Sequence, residues 1–253
     1  MDKNIPFGLQ DPIEEEERPA AAPDEARVPV RVNKTLMVNP VRAKFIDEKV
    51  VSFHYYNSFN YALLAEQQHN VHLTIGVTSP NRGEGKTLAA SNLAVSLTMG
   101  YKRKTVLVDM NFHHPRLHKI FGAPPGPGLL DALEGGTVPV SPTVVENLYV
   151  LPAGTRGKGK PGIIGGMPIG VERTTDFGDV IHSLQEEYDF VIVDMPAINL
   201  RQFPILFVNH LDGVFVVIEA GKTRRVDLEK MFRHLNKDQV LGFVMNRVRD
   251  DKN

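Results

Sequence analysis

The chain has 253 residues, no cysteine, 42% hydrophobic and 23% charged residues, and a formal net charge of −1. The missing thiols exclude a disulfide framework, a thiolate metal site and a cysteine nucleophile, and the near-neutral charge gives no bulk attraction to nucleic acid, so no nucleic-acid partner is expected. No apolar run approaches the roughly 20 residues that span a bilayer, and no basic leader precedes an apolar core. A cytoplasmic protein is therefore expected, with any membrane association running through a partner at the inner face.

Residues 1–45 read as a tail, with Glu14 to Glu17 in a row followed by the Ala/Pro stretch Pro19 to Pro23. Apolar residues there are too sparse to offset the entropy of ordering. A folded domain is expected over 46–253. It opens with a helical pattern over 47–68, where Tyr56, Phe59 and Leu63 fall on one stripe.

From Val71 the pattern alternates between strand and helix. Leu73 to Thr78 is a short apolar strand that runs into a Gly-rich loop, and Leu88 to Met99 is helical. Thr105 to Asp109 and Phe190 to Asp194 are buried strands, each ending in a carboxylate. Leu148 to Pro152, Gly213 to Ile218 and Val240 to Asn246 are further strands. Helical spacing joins Phe177, Val180, Ile181 and Leu184, and again Leu228, Met231, Phe232 and Leu235. Continuous apolar strands separated by amphipathic helices predict an α/β fold with a mostly parallel central sheet and helices on both faces. Ligands of such sheets bind beyond the carboxyl ends of the strands. Asp109, Asp194 and Asn246 would share that edge with the loop after the first strand.

That loop reads Ser79-Pro80-Asn81-Arg82-Gly83-Glu84-Gly85-Lys86-Thr87, between a strand and a helix. This is the context a P-loop requires, although Pro80 stands where the strict pattern has glycine. Glycines let the backbone curl so that successive N–H groups face phosphate oxygens, and the helix N-terminus adds its positive end. Asn81 to Leu88 are thus the candidate nucleotide-binding residues: Asn81, Arg82, Gly83, Glu84, Gly85, Lys86, Thr87 and Leu88. Lys86 would neutralise β/γ-phosphate charge, and Thr87 would offer its hydroxyl to magnesium. Asp109 and Asp194 are the carboxylates expected to reach Mg²⁺ directly or through water. Asn246 fits either a base-edge contact or a turn. GTPases continue this element with an aspartate that reads guanine, and Arg249 stands there instead. The expected ligands are ATP and Mg²⁺.

From about Ser52 to Asn246 these residues resemble the catalytic domain of bacterial tyrosine kinases, P-loop kinases of capsule and exopolysaccharide assembly related to MinD/ParA ATPases. The first motif, Thr78 to Thr87, is similar to T-S-x-x-P-G-E-G-K-[ST]. Asp109-Met110-Asn111-Phe112-His113-His114-Pro115-Arg116-Leu117-His118 resembles D-x-D-x-R-x-P-x-L-H. Tyr188 to Pro196, Gly128-Leu129, Leu151 to Gly154 and Ala220 to Arg224 are also family-like. The signature lysine of MinD and ParA is replaced by Asn81, which points to the kinase branch. The resemblance implies Lys86, Asp109 and Asp194 as catalytic residues, and Thr87, Asp109, Asn111 and Asp194 as the magnesium set. It also implies a membrane-embedded polysaccharide chain-length or export protein as partner.

Departures accompany the match. Asn111 replaces the second acid of its motif, and an amide is a poor base. His113 replaces the usual arginine. His54, Asn57 and Asn60 stand where the family's oligomerisation helix carries charged residues, so a homo-oligomer stays open. Thr155 to Thr175 is Gly-rich and basic, unlike the family. No tyrosine follows Tyr188, so a C-terminal acceptor cluster is not expected, and Tyr55 and Tyr56 are the alternative acceptors. His113, His114 and His118 lie close together, yet they align with the motif loop and no metal other than Mg²⁺ is assigned. Three readings follow: an ATP-dependent tyrosine kinase, a weak or inactive ATP-binding regulator of the same machinery, and a MinD/ParA-like ATPase.

Overall fold

The computed structural model describes residues 30–32, 72–154, 172–200 and 205–248. The helix expected over 47–68, the tyrosines Tyr55 and Tyr56 within it, Arg249 and most of the Gly-rich segment lie outside these residues. The strands are β1 (Val30–Val32), β2 (Leu73–Thr78), β3 (Thr105–Asp109), β4 (Val138–Pro142), β5 (Leu148–Leu151), β6 (Phe190–Asp194), β7 (Gly213–Glu219) and β8 (Val240–Asn246). The helices are α1 (Lys86–Tyr101), α2 (Leu117–Phe121), α3 (Leu129–Ala132), α4 (Glu172–Gln185) and α5 (Arg225–Met231). All eight strands join one sheet in the order β1-β4-β5-β3-β6-β2-β7-β8. Only the β4–β5 pairing is antiparallel. Strand β1 comes from the segment 1–45 and pairs with β4, Val30 opposite Val138.

The central strands are apolar on both faces because both faces are covered. Every residue of β2, β3 and β6 is buried. One face packs Leu73, Ile75, Leu107 and Ile192 against Ala90, Leu93 and Leu97 of α1. The other packs Val106, Val191 and Val193 against Phe177, Val180 and Leu184 of α4. Each fully buried Val, Leu, Ile or Phe contributes roughly 1.5–3 kcal/mol. Helix α1 is sunk almost all round, so its buried hydroxyls must be satisfied from within. Ser91 Oγ donates to the Thr87 carbonyl at 2.8 Å and Thr98 Oγ1 to the Ala94 carbonyl at 2.7 Å. Among the described residues no helix is long and apolar enough to cross a membrane.

Two departures from the expected elements have plain causes. Strand β4 was not expected, because Pro139 and Pro142 interrupt its apolar run. It lies next to short β1 and pairs antiparallel with β5 over two residues, where missing N–H groups cost least. Helix α5 stops at Met231, although Leu235 continues the helical spacing and is buried. Apolar spacing reports which residues face the core, and a tight turn after Met231 still turns Leu235 inward.

Candidate phosphate-binding site

Strands β2, β3, β6 and β8 deliver their last residues to one edge of the sheet. Asp109 and Asp194 are register partners on β3 and β6, and Asp194 is also opposite Val77 on β2. Two carboxylates and the loop that leaves β2 are thereby brought side by side.

The loop curls at two glycines in the left-handed region, Gly83 at φ 85° and Gly85 at φ 99°. That conformation is open to glycine and costly for other residues. At Gly85 a second constraint applies, because a Cβ there would collide with the Asn246 side-chain amide. Gly85 immediately precedes α1, and its carbonyl accepts the first helical bond from the Ala89 N–H at 3.0 Å. The N–H groups of Lys86, Thr87 and Leu88 come before that bond, so helix geometry leaves them without an intrahelical acceptor. The N-cap residue, Gly85, has no side chain with which to cap this end of the helix. A helix N-terminus with free N–H groups, preceded by a glycine curl, is an anion cradle. Lys86 lies within it and is 8% exposed. Arg82, at the rim, contacts His114 from the loop after β3.

The two strand-end aspartates differ in a way the sequence did not show. Both are fully buried. Asp109 spends its carboxylate on its own loop: Oδ1 accepts the Asn111 N–H at 3.1 Å, and Oδ2 accepts the N–H groups of Arg116 and Leu117 at 3.0 and 3.1 Å. Burial pushes its pKa up to about 6, while these N–H groups and the Lys86 charge hold it back. Asp194 has neither carboxylate oxygen hydrogen-bonded among the described residues. Burial, then the neighbouring Asp109 charge, push it up to about 7. The Lys86 ammonium and the nearby Thr87 hydroxyl pull it the other way, although that hydroxyl falls short of hydrogen-bond geometry. A buried acid with no donor among the described residues, beside a hydroxyl and a lysine, fits a cation-binding role. Hard oxygen donors of this kind suit Mg²⁺ better than softer metals.

The remaining expected residues take clear places. Asn111 is half-buried in the loop after Asp109, held there through its backbone. Asn246, read as a base contact or a turn, supports the phosphate loop: its Nδ2 donates to the Glu84 carbonyl at 2.9 Å and its Oδ1 accepts the Arg247 N–H at 2.9 Å. Glu84, expected among the nucleotide contacts, turns its carboxylate inward and is 3% exposed. Its partners include Thr223, a residue for which no functional role was legible in the sequence. The signal was present, since an acid in a phosphate loop must turn away from phosphate to avoid like-charge repulsion.

A parallel α/β sheet with a glycine-curled loop, a buried lysine and two strand-end acids at its carboxyl edge defines a P-loop protein of the MinD/ParA-like class. No family model matches the chain. CapB of Staphylococcus aureus, which carries a tyrosine-protein-kinase name, is 30% identical over 183 residues, covering 70% of this chain and 76% of that protein. A crystal structure of the chimerical protein CapA2B2 superposes with a TM-score of 0.63 at 25% identity, covering 77% of this chain and 84% of the other. The septum site-determining protein MinD of Pyrococcus horikoshii, complexed with Mg-ADP, superposes with a TM-score of 0.54 at 26% identity over 70% of each chain. The chain belongs to the bacterial tyrosine-kinase family.

Proposed function

We propose that the chain binds MgATP in the loop 79–87 and transfers the γ-phosphoryl group to a tyrosine hydroxyl. The observation that carries this reading is Asp194: a fully buried carboxylate whose oxygens take no hydrogen bond from the described residues, next to Lys86 and Thr87. An ionised acid so placed is costly by itself and favourable with a cation facing it.

The loop N–H groups and the α1 N-terminus would hold the phosphates, and Lys86 would neutralise their charge. Thr87 and Asp194 are the residues that would hold Mg²⁺, which supplies charge neutralisation on the transferring phosphoryl group. Asp109, fixed by three backbone N–H groups, would act chiefly by field and by shaping its loop. The tyrosine oxygen forms a bond to the γ-phosphorus as the bond to the β-phosphate oxygen breaks, and ADP leaves. In a loose transition state the hydroxyl proton departs late, to a phosphate oxygen or to water, so no strong base is required. The resemblance to capsule and exopolysaccharide kinases supports a role in polysaccharide assembly, at the cytoplasmic face of the membrane beside a chain-length or export protein.

A second reading keeps ATP binding and drops phosphoryl transfer. It is favoured by Asn111 in the acid position and by Asp109's full set of backbone partners. Calorimetric titration of ATP tests the part both readings share. Binding is expected with Mg²⁺ and is expected to weaken at least about a hundredfold in Lys86→Ala, from the loss of a buried charge pair with phosphate. Equal heats in the two proteins would sink both readings.

A further inference from the structure

The only acidic side chain of the phosphate loop is built into the loop's outer wall. Glu84 Oε2 accepts the Asn81 backbone N–H at 2.8 Å, which closes a small ring inside the loop. Its Oε1 accepts the Asn81 side-chain amide at 3.2 Å and the Thr223 hydroxyl at 2.6 Å. Thr223 comes from the turn after β7, and its Oγ1 in turn accepts the Glu219 N–H at 2.8 Å. The wall continues on both sides. Asn246 holds the Glu84 carbonyl from β8. Asn199 donates its N–H to the Pro80 carbonyl at 3.2 Å and its Nδ2 to the Asp227 carbonyl at 2.9 Å. The loop is therefore clamped by the turn after β7 as well as by its own glycines.

We propose that Glu84 and Thr223 form a latch that pre-sets the curl of the phosphate loop and couples the turn 220–224 to phosphate occupancy. The proposal rests on the nucleotide reading above. Both are positioning residues: they act through the backbone N–H groups of Gly83 to Thr87 and need not touch the ligand. If the latch opens, the loop samples curls in which those N–H groups diverge. Apparent affinity then falls by the fraction of chains still competent. One hydrogen bond to a buried charged acceptor is worth enough to change that fraction about tenfold. Coupling is reciprocal, so nucleotide should also steady the turn that carries Thr223.

The test uses the full chain, ATP with Mg²⁺, and calorimetry on wild type, Thr223→Val, Thr223→Ser, Glu84→Ala and the Glu84→Ala/Thr223→Val pair. Thr223 is on a partly exposed turn, so its variants should fold even if Glu84→Ala does not. Thr223→Val removes the hydroxyl at nearly constant shape and is expected to raise the Kd about tenfold. Thr223→Ser keeps the hydroxyl and is expected to bind within about twofold of wild type, since the charged bond is retained. Adding Thr223→Val to Glu84→Ala should weaken binding by much less than the tenfold of Thr223→Val alone, because the bond between the two side chains cannot be lost twice. In wild type, ATP should slow amide exchange in residues 220–224, and in Thr223→Val that protection should disappear. Wild-type affinity in Thr223→Val, or a Thr223→Ser variant as weak as Thr223→Val, would overturn the latch and leave nucleotide binding standing. A folded wild type that takes up no ATP would overturn the nucleotide reading and the latch together.

Discussion

Replacing Asp194 by asparagine should stabilise the nucleotide-free chain at high pH. In the wild type this carboxyl is fully buried without a donor among the described residues and is pushed up to about 7, by burial first and by Asp109 second. The sign is the reverse of the usual carboxylate case. A pKa raised in the folded state means that the folded chain holds a proton the unfolded chain releases. The favourable term is full below pH 4 and is lost as pH rises through about 7. Moving a carboxyl from 3.8 to about 7 corresponds to roughly 4 kcal/mol at about 1.4 kcal/mol per tenfold. That figure is an upper one, because Asp109 shares the charge. With the charge shared in this way, a gain of about 1–3 kcal/mol at pH 8 is expected, or about 2–12 °C in Tm for a domain of this size. At pH 4 the carboxyl is neutral and the two side chains are nearly equivalent, so the gain should vanish. Thermal melts of both proteins at each pH unit from 4 to 8, without nucleotide or divalent ions, read the difference directly. A difference that stays flat, or shrinks as pH rises, would refute the account of Asp194 as an uncompensated buried charge.

Gly85→Ala puts a Cβ at a φ of 99° and into the Asn246 amide. It should cost about 2–4 kcal/mol by chemical denaturation and weaken ATP binding, because the loop must uncurl to relieve the clash. Tyr188→Phe should be neutral or stabilising by up to about 1–2 kcal/mol, since the Tyr188 hydroxyl is buried with no partner among the described residues. A clear loss in urea unfolding would show that the hydroxyl is in fact satisfied. Asn111→Asp restores the second acid of its motif, and label transfer from γ-labelled ATP should rise if catalysis is limited there. An unchanged or absent rate would favour the regulator reading.

The sheet was legible because its central strands state their burial in their composition. Val106-Leu107-Val108 and Val191-Ile192-Val193 are continuous apolar runs that stop at aspartate, and β3 and β6 have the expected bounds. The bounds of β2 and β8 were equally plain, one set by the phosphate loop and the other by Asn246. Strand β4 and the short helices α2 and α3 were not expected, since runs of four or five residues broken by proline or glycine carry little periodicity. Within the site, the phosphate loop and both acids were legible as types. Their division of labour was not. Asp109 and Asp194 have matching sequence contexts, and only the path of the loop 110–117 decides which one receives backbone donors. The Thr223 contact spans 139 positions along the chain, a distance over which local patterns say nothing.

Phosphoryl transfer itself is the most direct test. Purified chain is incubated with γ-labelled ATP and Mg²⁺ beside Lys86→Ala, and any labelled residue is mapped. Label is expected on tyrosine in the wild type and none in Lys86→Ala. Label that persists undiminished in Lys86→Ala, or label on residues other than tyrosine alone, would contradict it.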